Sequence, residues 1–202
     1  MNPLKSITGT IVSGIVLALI FAFAMSNGQG NPIEWTVWFH VIVGITWIGL
    51  LYYFNFVQVP AVGAALSEKD KGGPGPAAIN KYVAPRALLW FRWSALLTWL
   101  SGAAALGKLG IFNEAFTFEN FSFSGSASVI GMGAWLGTIM LFNVWVLIWP
   151  NQKKILGLDG KEHSAEEIAG AKTVALMASR TNTLLSIPML LGMTAFAHGL
   201  PF

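Results

Sequence analysis

What most constrains this chain is where its few charges sit. They collect in short stretches between long apolar runs, each run close to the ~20 residues a helix needs to cross a hydrocarbon core. Only 10% of the 202 residues are charged and 54% are hydrophobic, whereas a soluble domain carries about 25% charged residues. A bilayer offers no water to unpaired backbone groups, so apolar runs of this length are expected as helices. The sequence therefore predicts an all-α integral membrane protein. It is expected to be one domain, a bundle of about five transmembrane helices with almost no water-soluble part.

The runs cover residues 7–25, 34–59, 86–106, 126–149 and 171–198. Turn-forming Ser26 to Gly30 ends the first, and Pro60 and Pro150 are expected to stop the second and fourth. Gly107 and Gly110 follow the third, and Gly199 and Pro201 follow the fifth. Ala22-Phe23-Ala24 has the small-residue spacing of a signal-peptidase site. With Lys5 alone in the preceding basic region, an uncleaved helix is expected. The connector around Lys69–Pro76 reads as flexible, residues 157–169 as a short surface helix, and the Phe-rich stretch 112–124 as an interfacial loop. Pro188 is expected to kink the fifth helix.

Orientation follows from the basic residues. Lys5 precedes the first helix, Lys69, Lys71, Lys81 and Arg86 fall between the second and third, and Lys153, Lys154, Lys161 and Lys172 between the fourth and fifth. Lys108 alone lies in a loop of the other side. This bias places the N-terminus in the cytoplasm and the C-terminus outside. The net charge of +3 is thus topological, and no nucleic-acid partner is expected.

Two histidines carry the chemistry. His40 opens a face of the second helix that continues through Gly44, Trp47, Leu51 and Asn55. His198 closes the fifth helix. In the orientation above, both lie near the outer ends of antiparallel helices. The chain has no cysteine, which excludes thiolate metal sites and covalently attached c-type haem. A pair of intramembrane imidazoles can instead hold the iron of haem b axially. Gly44 would then let a flat ring approach the backbone, and Trp47 would pack on its edge. On spacing alone both histidines read equally well as wet interfacial anchors. His163, in a charged segment, is expected to be simply solvated. The pair Gly133 and Gly137 reads as a small-residue packing face.

A second group of polar residues falls in the inner half: Asn55, Arg92, Asn143, Arg180 and Asn182. Buried arginines must be paired, yet Glu34, at the far end of the second run, is the single acid in the five runs. Amides, haem propionates or an anionic substrate are the available partners. Snorkelling to headgroups is the simpler reading of Arg92.

Several stretches resemble the membrane domain of the bacterial urate hydroxylase family, also called the urate oxidase N-terminal domain family. They are Phe39-His40 followed by Gly44 to Gln58, then Trp90-Phe91-Arg92-Trp93, Asn143 to Lys154, and Ser179 to Pro188 with His198 beyond. The resemblance places Arg92, Asn143, Arg180 and Asn182 inside family motifs and strengthens the haem reading of His40 and His198. Full-length members carry a C-terminal cytochrome c domain, so the resemblance is to a short form without it. It implies a multi-pass protein of the bacterial inner membrane, with electrons passing to or from quinone or an external cytochrome c. Whether it is itself an oxidoreductase stays open at this point. The alternative is a non-catalytic accessory or assembly subunit of a larger membrane complex.

Overall fold

The computed structural model describes residues 2–26, 28, 30–117 and 126–201. It is 86% helical, and no strand occurs among the described residues. Six helices organise it: α1 (Ile7–Met25), α2 (Pro32–Lys71), α3 (Ala84–Lys108), α4 (Phe112–Phe116), α5 (Ala127–Leu156) and α6 (Ala165–His198). The chain divides into two compact units, Met1–Glu34 and Trp35–Phe202. In the first, Ser6 caps α1 by accepting a hydrogen bond from the Gly9 amide.

Four helices, α1, α2, α5 and α6, are long and apolar enough to cross a membrane. The fifth expected span, 86–106, is present as the 25-residue α3 but falls short in hydropathy. The cause is its composition: Arg86 and Arg92, three tryptophans, and the buried hydroxyls Ser94, Thr98 and Ser101. Each of these hydroxyls donates back to a carbonyl of its own helix, at Phe91, Ser94 and Leu97 respectively. Self-paired in this way, they can be buried without partners on another helix.

Two expected helix stops fail, and for one reason. Three prolines, Pro60, Pro85 and Pro150, are each preceded by a π-helical turn: Phe54–Gln58, Ile79–Val83 and Asn143–Ile148. In each, the residue before the proline donates its N–H five residues back. The pairs are Val59 to Phe54, Ala84 to Ile79 and Trp149 to Val144. A proline inside a helix lacks a donor and its ring collides with the carbonyl four residues earlier. The wider turn relieves that collision, so α2 and α5 run through Pro60 and Pro150 instead of ending there. At 40 and 30 residues they extend about 60 and 45 Å, well past a ~30 Å hydrocarbon core.

The segment expected as a separate surface helix is divided differently. Gly157, at φ 64°, closes α5. Ser164 then starts α6 with a capping box, its hydroxyl accepting from the Glu167 amide while the Glu167 carboxylate accepts from the Ser164 amide. Residues 165–169 are therefore the first turns of α6, which continues through Pro188 to His198. Most of the Phe-rich stretch, 118–125, lies outside the described residues.

Burial differs from that of a soluble core in what stands outside and in the polar groups within. Large apolar side chains such as Ile45, Phe142, Leu184 and Ile187 stand outward, while Asn143, Asn182 and Ser186 are buried beside Trp47, Leu51, Phe91, Met140 and Val144. Lipid tails are as apolar as leucine, so a bundle in a bilayer gains more from close packing and internal hydrogen bonds than from hiding apolar surface. The α5–α6 seam shows this directly. A Cβ on Gly192 would lie 2.8 Å from the Val129 carbonyl oxygen and 2.9 Å from the Gly133 nitrogen. Gly133 is thus a packing residue as expected, but its counterpart is Gly192; nothing lies within 4 Å of a Cβ built on Gly137.

Candidate functional site

His40 is held by α3. Its Nδ1 lies 2.9 Å from the Thr98 carbonyl oxygen and 3.2 Å from the Ser101 hydroxyl. A carbonyl can only accept, so Nδ1 carries the proton and donates. That fixes the tautomer of the neutral ring and leaves the Nε2 lone pair unprotonated, the arrangement typical of a metal-ligating imidazole. The ring also sits against Gly102, where a Cβ would come 3.0 Å from His40 Cε1. Thr98, Ser101 and Gly102 were not singled out from the sequence. Their signal was legible all the same: with Ser94 they make a small, polar stripe at helical spacing down one face of α3.

The other expected cofactor residues are placed less uniformly. Gly44 faces the Thr98 methyl at 3.7 Å from a built Cβ, an ordinary contact. Trp47 is 2% exposed, with its indole N–H buried and unpartnered. His198 is exposed at the last position of α6. No hydrogen bond joins it to His40 among the described residues. Nor do three His, Cys, Asp or Glu side chains gather there as a metal site.

The inner polar group separates into parts. Asn143 donates to Asn182 Oδ1 at 2.8 Å, and Asn182 donates to the Met140 carbonyl at 3.0 Å. Asn55 donates to Ser179 Oγ at 2.8 Å and to its own-helix Leu51 carbonyl, and Tyr52 shares a 2.9 Å bond with Ser186. Amides and hydroxyls from α2, α5 and α6 thereby lock the three helices together. Asn55 Oδ1 and Gln58 Oε1 remain buried acceptors without a partner. Neither arginine belongs to this network. Arg180 is exposed on α6, and Arg92 lies over the Trp149 ring, its Cζ 3.9 Å from the centroid. Such a contact contributes about 0.5–2 kcal/mol and is a partner that counting carboxylates in the sequence does not reveal.

A double-mutant cycle on Asn143→Ala and Asn182→Ala measures the amide pair. Its coupling in detergent unfolding is expected at about 0.6–1.7 kcal/mol, the range for interhelical bonds in membrane bundles. Additive single effects would mean that each amide acts alone.

His163, expected to be solvated, is instead gripped. Its Nε2 lies 2.8 Å from Asp159 Oδ2 and its Nδ1 3.8 Å from Glu167 Oε2, with 11% of the side chain exposed. The hydrogen bond from His163 holds the Asp159 carboxyl below its ordinary range. This clamp ties the 157–164 connector to the start of α6.

Residues 105–200, close to half of the chain, match the model of the family described as urate oxidase N-terminal. Over that segment the chain is similar to this family. Its segment takes in Asn143, Arg180, Asn182 and His198, whereas His40, Gly44, Trp47, Asn55 and Arg92 precede it. Among curated proteins and solved structures, nothing matches the chain.

Proposed function

We propose that this protein is a membrane-embedded haem b redox protein that passes electrons to or from quinone or an external cytochrome. In this reading five helices span the bacterial inner membrane, α3 among them, with the N-terminus in the cytoplasm and the C-terminus outside. The observation that carries it is the anchoring of His40 Nδ1 on a backbone carbonyl, which leaves Nε2 as a ligand. The family link and the absence of cysteine agree with a non-covalently held haem.

The donor set suits the group. His40 would hold the haem iron through Nε2, and His198, unengaged by any side chain among the described residues, would be the second ligand. Bound haem would contribute one-electron exchange at its iron. The chain's own residues orient His40 through Thr98, Ser101 and Gly102, and the amide network clamps α2, α5 and α6. Trp47 offers an unpaired indole donor beside this face. Gly44, packed on Thr98, contributes helix contact more directly than ring clearance.

Mixing dithionite-reduced protein with a soluble quinone analogue or with oxidised cytochrome c tests the proposal. Reoxidation by one of them, followed in the visible spectrum, is expected. A protein without any redox-active chromophore would refute it and favour the accessory-subunit reading.

A further inference from the structure

Two cations meet at one tryptophan near the junction of α3 and α5. Arg92 Cζ lies 3.9 Å and Lys153 Nζ 5.7 Å from the Trp149 ring centroid. All three residues are half-buried. Among the described residues neither cation forms an ion pair, and no side chain or carbonyl accepts a hydrogen bond from either. Of the four acids that follow along the chain, Asp159 is engaged by His163 and Glu167 by Ser164 and His163, while Glu162 and Glu166 are exposed and pair with neither cation among the described residues. One turn before Trp149, the Trp145 indole N–H is buried without an acceptor. Its ring packs edge-on against Trp93, the neighbour of Arg92, at 5.4 Å.

We infer that this seam between α3 and α5 binds a phosphate-type oxyanion. Two like charges brought to one ring repel unless an anion lies between or beside them, and half-buried N–H groups need acceptors. The Trp149 face satisfies the flat side of the guanidinium and leaves its N–H edge for oxygen atoms, which Arg recognises in pairs. Lys153 adds a point charge. Lys81 and Arg86 precede Arg92 along the chain and Lys154 follows Lys153 directly, a basic setting of the kind in which pockets between helices take lipid headgroup phosphates. A headgroup and free phosphate present the same chemistry. This site is separate from His40 and does not depend on haem.

The test is native mass spectrometry and thermal melting of the full chain in three nanodisc settings. These are phosphatidylcholine alone, phosphatidylcholine with phosphatidylglycerol, and phosphatidylcholine with added inorganic phosphate. Retained phosphatidylglycerol with a raised Tm, and retention weakened about tenfold in Arg92→Gln, establishes the site with a lipid source. A Tm raised by inorganic phosphate and not by phosphatidylglycerol, again lost in the variant, establishes it with a free oxyanion. Lys153→Gln, which leaves the Arg92–Trp149 contact in place, provides the same reading if Arg92→Gln does not fold. Lys161→Gln, in the connector, is the control and should leave retention unchanged. Stabilisation by neither anion, or equal stabilisation of the Arg92 and Lys153 variants, would overturn the inference.

Discussion

Gly192→Ala is expected to unfold this protein in detergent at temperatures where the parent is stable. The new methyl would sit 2.8 Å from the Val129 oxygen and 2.9 Å from the Gly133 nitrogen, and both are backbone atoms of α5. No rotamer change relieves a collision with backbone. The seam must open along its length, and overpacking of this kind costs about 1–3 kcal/mol or more. The loss propagates, because Asn143–Asn182 and Asn182–Met140 bridge the same two helices. Gly137→Ala is the contrast: with nothing within 4 Å of its built Cβ, it is expected to leave Tm nearly unchanged. Thermal melts of the two variants side by side check the prediction. A similar Tm for both would mean that α5 and α6 do not pack through Gly133 and Gly192.

His40→Ala is expected to purify with haem reduced about tenfold or more, since even loss of a residue supporting a metal ligand costs 10–100-fold in affinity. The readout is haem per chain by pyridine haemochrome, which reports loading and not turnover. Ser101→Ala separates ligation from general packing. It removes the longer, 3.2 Å contact to Nδ1 and keeps the 2.9 Å bond to the Thr98 carbonyl, so haem content should hold. Gly102→Val should lower it, because a side chain there displaces the His40 ring. Haem content unchanged in His40→Ala would remove His40 from the ligand set.

Much of the helical order was legible because apolar length and charge placement act locally. The small-residue seam at Gly133 and the polar character of Asn143 and Asn182 follow from residue type, whereas the capping box at Ser164, which starts α6 early, has no counterpart in the expected boundaries. Proline in a regular α-helix predicts ends at Pro60 and Pro150, and the helices continue through both. A π-turn absorbs each proline, and nothing in the local composition of Phe54–Gln58 announces that turn. The site was legible in part. His40 stood out as an ionisable group in an apolar run, but its orientation depends on Thr98, 58 residues away, which no periodicity connects to it. Depth along the helices groups the arginines with the amides. Depth does not specify the face, and the faces differ: Arg180 points outward, and Arg92 turns to Trp149.

The most direct test of the haem proposal is a reduced-minus-oxidised visible spectrum of the detergent-purified full chain. A b-type spectrum with about one haem per chain is the predicted result. A colourless protein that stays colourless after haem is added back would contradict it and leave His40 as a structural tie between α2 and α3.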